Sequence, residues 1–487
     1  MNEAEFRNLA QRGFTRVPVI AEARADLYTP LAIYLKLANN PYSYLLELVV
    51  GGERSGRYSF IGLACAERIE LRDGTVRRLL RDARGADVTL ERVENADPFA
   101  YLARERVAPL PPQLRFSGGL VGYFGYETVR HVEPTALRAD HPALKGAKPD
   151  PLGTPDMLLL LSDELAVVDN VLGKLTPVVY ADPREPGALA GARERLEQLR
   201  KRLAVPIPEE FSLEVPEEKR DETKLERTFP EAQFLATVER CKQYIFAGEC
   251  MQVQISQRTS RDFRALRGVN PSPYMFYFDF GDHHVVGASP ETMVRVSGGT
   301  VTLRPIAGTR PRGATPAEDA RCAEELLAYP KERAEHVMLI DLGRNDVGRV
   351  AATGSVCVTE QMVIERYSHV MHFVSNVEGR LAPGLDATDV FKAGFPAGTV
   401  TGAPKICAMQ IIDGLEPVKR CVYSGAAGYF GFNGDMDVAI AIRTAVVKAG
   451  RLNVQAAAGI VADSDPLAEW QETQHKARAI LRAAEAA

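Results

Sequence analysis

Cysteine is sparse and scattered in this chain. Cys65, Cys241, Cys250, Cys322, Cys357, Cys407 and Cys421 are odd in number and form no C-x-x-C pair, which argues against a disulfide framework and a zinc cluster. Long apolar runs are missing too, and nothing approaches the ~18 residues that span a bilayer. The start, MNEAEFRNLAQRG, has no apolar stretch behind a basic one, so no secretory signal is read. There is no long basic run, and the net charge is −5. A nucleic-acid partner is therefore not expected. Common catalytic signatures are absent as well. H-E-x-x-H and G-x-S-x-G do not occur. GTVTGAPK lacks the spacer and the Lys-Ser/Thr ending of a P-loop, and GGLVGYFG spaces its glycines unlike a dinucleotide fingerprint. Together these absences point to a reduced, cytoplasmic protein with no membrane partner.

What is present is an ordinary globular composition, 46% hydrophobic and 25% charged, on a chain long enough for two domains. Residues 1–203 mix short strands with turns. Runs 44–50 and 57–63 read as a hairpin across GGERSG, and runs 67–71 and 75–80 flank Asp73-Gly74, a two-residue hairpin signal. Runs 157–162 and 165–169 suggest another strand pair, and 186–203 an amphipathic helix. Residues 204–230 are rich in proline and charge and read as a linker. Residues 231–487 then alternate helices with hairpin-like strands, so the fold class is α+β with largely antiparallel sheets.

One helix stands out, within 329–349. Pro330 suits its first turn, and Ala334, Val337, Met338 and Leu342 form an apolar stripe. Glu332 and Glu335 share a face. A second such pair, Glu469 and Glu472, lies on a helix opened by Asp465-Pro466. Taken alone, each pair reads as a solvated helix face. Together they offer oxygen ligands for a hard cation such as Mg2+. Strand 251–258 alternates, with Gln252, Gln254 and Ser256 on one side, a pattern that favours a wet face over a polar cavity. Glu291 ends a strand beside Pro290, where a general acid can be placed. Arg304 and Arg310 suit carboxylates. His372 in RYSHVMH, which also holds His369, is a candidate proton-transfer group. Loop 395–405, with Thr399, suits an anion. Arg443 falls in an otherwise apolar strand, 438–447, where a buried guanidinium needs an anionic partner.

Taken in order, these motifs resemble the chorismate-utilising enzymes, and within them the large component of anthranilate synthase. GGERSGRYSFIG and GGLVGYFGYE match the N-terminal region. PIAGTR, ERAEHVMLIDLGRND, RYSHVMH, FPAGTVTGAPK, AIR and ADSDPLAEWQET match the catalytic region. The resemblance implies two intertwined subdomains of antiparallel sheet. It also implies conversion of chorismate and ammonia to anthranilate and pyruvate for tryptophan biosynthesis. Isochorismate and salicylate synthases carry a water-activating lysine at the position of Gln252, and aminodeoxychorismate synthase a lysine nucleophile at that of Ala307. Neither lysine is here, so an external nucleophile, ammonia, is needed.

On the same resemblance Glu291 is the general acid and His372 serves the elimination. Thr399 completes the catalytic set. Gln252, Ala307, Gly308, Thr309, Tyr423, Arg443, Gly459 and Lys476 line the substrate. Glu335 and Glu472 bind Mg2+, with Glu332 and Glu469 behind them. Glu47, Leu48, Pro273, Tyr274 and Met275 correspond to a tryptophan-binding regulatory site. Leu48 replaces the serine of the usual LLES there, which implies weakened feedback. Ala457 stands where many relatives carry glycine. No cysteine sits in a G-x-C-x-G setting, so the ammonia is expected from a separate glutamine amidotransferase subunit. The alternatives are an aminodeoxyisochorismate-type synthase that stops at the aminated intermediate, and a non-catalytic subunit that kept the fold.

Overall fold

In the computed structural model, residues 2–48, 56–102, 114–134, 137, 148–207, 225–262, 274–366 and 370–485 are described. Local turn chemistry sets the first hairpins. Asp73 and Gly74 both adopt positive φ (48° and 73°) between strands Glu67–Arg72 and Thr75–Arg81, the geometry a two-residue hairpin turn requires. Strands Ser43–Leu48 and Tyr58–Gly62 pair as expected.

All strand pairs among the described residues are antiparallel, in two large sheets. One sheet runs Val17–Ile20, Lys174–Ala181, Glu164–Asp169, Tyr58–Gly62, Ser43–Leu48, Tyr274–Asp279, His283–Ser289, Thr444–Lys448, Arg451–Ile460, Gln252–Asp262 and Glu226–Arg227. The other runs Ile306–Pro311, Val370–Arg380, Thr300–Leu303, Thr292–Ser297, Met436–Ile440, Ala426–Gly431, Gly119–Phe124, Met157–Ser162, Glu67–Arg72, Thr75–Arg81 and Asp87–Glu94. Each sheet mixes strands from before residue 204 with strands from after 230. Residues 1–203 and 231–487 are thus interleaved.

The sheets face one another across an aromatic core in which Phe60, Phe116 and Tyr429 touch. Burying such side chains contributes roughly 1.5–3 kcal/mol each. Helices Pro30–Leu37 and Ala188–Ala204 cover the outer face of the first sheet. The largest core is shared by helices on both sheets: Pro330–Gly348 and Ala387–Gly394 pack on the second, and Glu231–Phe246 and Lys405–Leu415 on strand Gln252–Asp262 of the first.

Three expectations need correction. Runs 157–162 and 165–169 do not pair with each other. Met157–Ser162 joins Gly119–Phe124 in one sheet, whereas Glu164–Asp169 joins Tyr58–Gly62 in the other. Asp163 alone separates them, too few residues to reverse the chain, so it passes from sheet to sheet. The apolar stretch 438–447 is likewise two strands, Met436–Ile440 and Thr444–Lys448, in different sheets. Strand 252–262 is buried along both faces for most of its length and so does not face water. Strand Cys357–Arg366, beside Val370–Arg380, was not legible in the sequence.

Candidate active site

The polar row of strand Gln252–Asp262 looks inward. The Gln252 amide donates to Glu335 Oε1 (3.1 Å), which joins the strand to helix Pro330–Gly348. The neighbouring strand puts Gly459 opposite Gln254. A Cβ there would lie 2.7 Å from Gln254 Nε2 and 2.8 Å from Gln252 Nε2, so the glycine makes room for both amides. One turn of strand away, Ala457 is buried and gives its carbonyl to Lys476 Nζ (2.9 Å). Lys476 also pairs with Glu472 (2.6 Å) on helix Pro466–Glu485. A groove of about 680 Å³ opens at Gln252 and Glu335, walled by Met251, Ala334, Met338 and Pro404.

Strand Ile306–Pro311 bulges where it passes Val370–Arg380. Gly308 and Thr309 together stand opposite His372, one residue more than its partner strand offers, and Gly308 takes a positive φ of 63°. The bulge turns its carbonyl to His372, whose Nδ1 donates to Gly308 O (2.9 Å), with Thr309 Oγ1 at 3.1 Å. Since a carbonyl only accepts, Nδ1 carries the proton and Nε2 the lone pair. Burial is the largest cause holding the imidazole pKa below its usual value, so His372 is neutral at pH 7. On the far side of the bulge, Arg310 Nη1 bonds Glu332 Oε1 (3.1 Å).

Glu291 is buried past the end of strand His283–Ser289. Thr399, in a 3₁₀ turn at Gly398–Val400, donates its hydroxyl to Glu291 Oε1 (2.7 Å). Burial outweighs that bond and pushes the Glu291 pKa up to about 8. The group is a neutral acid at pH 7, as a proton donor needs to be. Lys405, at the start of the next helix, holds Asp346 by two bonds of 2.8 and 3.0 Å and fastens this loop to helix Pro330–Gly348.

Arg443 departs from the expectation of a buried strand residue. It sits in the break between Met436–Ile440 and Thr444–Lys448, at φ 50°, and its side chain is exposed. Its surroundings still desolvate it enough to lower its pKa. No carboxylate pairs with it among the described residues. Tyr423 is buried nearby, its hydroxyl pushed up to about 12 by burial. Arg443 is also felt electrostatically by both His372 and Tyr423. An unpaired, partly desolvated guanidinium beside a tyrosine suits a carboxylate ligand.

The sequence profile of the chorismate binding enzymes matches residues 51–482. The chain belongs to that family. It is 54% identical to anthranilate synthase component 1 of Neisseria meningitidis serogroup A, over 100% of this chain and 98% of the relative. It is 52% identical to anthranilate synthase component 1 of Pseudomonas aeruginosa, over 99% and 98%. The crystal structure of anthranilate synthase component I from Streptococcus pneumoniae superposes with a TM-score of 0.74 at 34% identity, over 94% of this chain and 98% of that one. The menaquinone-specific isochorismate synthase of Escherichia coli shares the fold, with a TM-score of 0.68 at 18% identity over 99% and 100%.

In this chorismate-binding enzyme the residues singled out by sequence fall into connected groups. Gln252 joins Glu335, and Gly459 lies against both glutamines. Gly308 and Thr309 join His372, with Ala307 next to them opposite Phe373. Thr399 joins Glu291, and Lys476 joins Glu472. Helix carboxylates Glu332 and Glu335 are half-buried and Glu472 is exposed. In the proposed regulatory region Leu48 pairs with Tyr274 and Glu47 with Met275 across adjacent strands. Burial is the largest influence on Glu47 and raises its pKa. Pro273 and His369 lie outside the described residues. Sequence reasoning missed the buried pair Arg420–Glu416 behind Tyr423. Four-residue spacing is its one local signal, and that is shared with any exposed helical pair.

Proposed function

We propose that this enzyme adds ammonia to chorismate and eliminates pyruvate to give anthranilate, the first committed step of tryptophan biosynthesis. One observation carries the reading: a buried carboxylic acid, Glu291, kept protonated at neutral pH, in a site with no lysine at 252 or 307. Ammonia adds at C2, the ring double bonds shift, and the C4–O bond breaks. Glu291 gives its proton to the departing hydroxyl, which leaves as water. The bond from Thr399 fixes the acid's orientation. In the second half a C2 proton is removed, the C3–O bond breaks, and enolpyruvate leaves and ketonises to pyruvate. His372, neutral with its lone pair on Nε2, is the base assigned to this step. Arg443 and Tyr423 hold the enolpyruvyl carboxylate.

The helix carboxylates suit a Mg2+ ion by their chemistry. The donors are all oxygen, and among the described residues Glu335 is met by a neutral amide rather than a cation, as an oxygen ligand for a hard cation should be. Glu335 and Glu472 would hold the ion, Glu332 and Glu469 would act through water, and Lys476 would give up Glu472. Bound there, the cation neutralises the ring carboxylate of chorismate. Ammonia comes from a separate glutamine amidotransferase subunit, since this chain lacks the cysteine such a reaction uses.

The test is chorismate with ammonium, with and without EDTA, followed by anthranilate fluorescence and pyruvate release in equal amounts. An aminated product without pyruvate would mean a synthase that stops at the intermediate, and no product would mean a non-catalytic subunit. Turnover on glutamine by the purified chain would refute the need for a partner.

A further inference from the structure

The end of the glycine-rich aromatic motif, Gly125-Tyr126-Glu127, carries none of the chemistry assigned above, yet it is clamped onto the segment that does. Tyr126 N donates to Cys421 O (2.7 Å). The Glu127 carboxylate takes Arg420 N (2.9 Å) and Cys421 N (3.0 Å). A Cβ on Gly125 would lie 2.9 Å from both Asp156 O and Cys421 O, so the two backbones meet this closely because the residue is glycine. The Arg420 guanidinium lies 4.8 Å over the Tyr126 ring.

Arg420 is fully buried and uses its fork in several directions at once. Nε and Nη2 bond Glu416 (2.9 and 2.7 Å). Nη1 bonds Val400 O (2.7 Å) and Ser424 Oγ (3.1 Å). Nη2 also reaches Gln254 O (2.9 Å). Its three acceptors other than Glu416 are each one or two residues from the site. Val400 follows Thr399, which holds Glu291. Gln254 lies on the same strand face as Gln252. Ser424 follows Tyr423. Glu416 in turn accepts from Ser256 N and Oγ, both at 2.8 Å. A buried ion pair of this kind gives no assured gain in stability, because desolvation offsets the attraction. Its geometry, however, links three site segments through one rigid planar group.

We propose that Arg420, seated by Glu127 and Tyr126, is a positioning residue that fixes the Thr399 turn that holds the catalytic acid, the Gln252 strand and the Tyr423 turn relative to one another. It rests on the functional reading above. Arg420→Lys keeps the charge beside Glu416 but replaces the fork with a single ammonium, which cannot bridge Val400, Gln254 and Ser424 together. Because the Thr399 bond holds the Glu291 pKa down, a displaced Thr399 lets it rise.

The experiment measures kcat on chorismate and ammonium, and the alkaline limb of kcat/KM corrected for free ammonia, for the wild type, Arg420→Lys, Glu127→Gln and the remote buried control Arg68→Lys. Arg68 pairs with Asp87 in the second sheet, away from the site. The expected result is a kcat at least tenfold lower in Arg420→Lys, a smaller loss in Glu127→Gln, and an alkaline limb moved up in both. Arg68→Lys should lose thermal stability with kcat and limb unchanged. Arg420→Lys with kcat within twofold of wild type, or with its limb unmoved, overturns the proposal. If Arg420→Lys does not fold, Glu127→Gln is judged by the same two readings. A wild-type chain that makes no anthranilate fails the functional reading instead, whatever the variants do.

Discussion

At the scale of the residue, Glu291 carries the strongest electrostatic signature in the site. Its folded pKa of about 8 lies above that of a solvated carboxyl, so the folded state holds a proton that the unfolded chain gives up earlier. The stability linked to this group is full at acid pH and is lost as pH rises through about 8. Glu291→Gln removes that dependence. The variant should melt no lower than wild type above pH 8, by calorimetry, while kcat falls by about 10²–10⁴, the usual worth of a general acid. In the wild type, kcat/KM per free ammonia should decline above pH 8 as the acid ionises, even though ammonium itself is becoming ammonia. A flat profile there would remove Glu291 from the role. Gly459→Ala is a steric test of the same kind. Its methyl would meet two amide nitrogens, so chorismate KM should rise severalfold.

At the scale of the element, two helices each carry a carboxylate pair, and the proposed Mg2+ site draws one ligand from each. Mg2+ at 100 times its Kd should stabilise the wild type by about 2.7 kcal/mol, seen as a raised Tm. Glu335→Gln should abolish both that shift and the activity while keeping the metal-free Tm, because a neutral amide can still accept from Gln252. EDTA should reproduce the loss of activity in the wild type. A Glu335→Gln enzyme that retains turnover would refute the metal assignment.

This is also the scale at which the sequence is most and least legible. Helix boundaries were readable because Pro316, Pro330 and Pro466 sit in first turns and the apolar spacing is regular. The inward face of Gln252, Gln254 and Ser256 was not, since alternation is the same whether the polar side meets water or buried partners. The crossing at Arg443 was hidden inside one apolar run. Arg420 and Glu127 are nearly three hundred residues apart in sequence, so no local pattern announces their contact.

At the scale of the molecule, the proposed regulatory site and the fold's integrity depend on the same interleaving. Leu48 from the N-terminal part lies opposite Tyr274 from the C-terminal part. With leucine in place of a serine hydroxyl, tryptophan should inhibit weakly or not at all. An inhibition curve showing tight binding would reject this. The interleaving also predicts how the chain divides. Strand Tyr274–Asp279 lies between Ser43–Leu48 and His283–Ser289, and Ala426–Gly431 lies between Gly119–Phe124 and Met436–Ile440. Residues 231–487 alone would therefore expose two long strand edges, together with the apolar faces that Phe60 and Tyr123 cover. Such edges pair with other chains rather than remain in water. Expressed alone, 231–487 should be insoluble or form large aggregates on size exclusion. Co-expressed with 1–230, it should recover a soluble complex with ammonium-dependent activity, because the cut severs none of the described strand pairings. A soluble, monomeric, folded 231–487 fragment would mean that the two sheets are not single cooperative units.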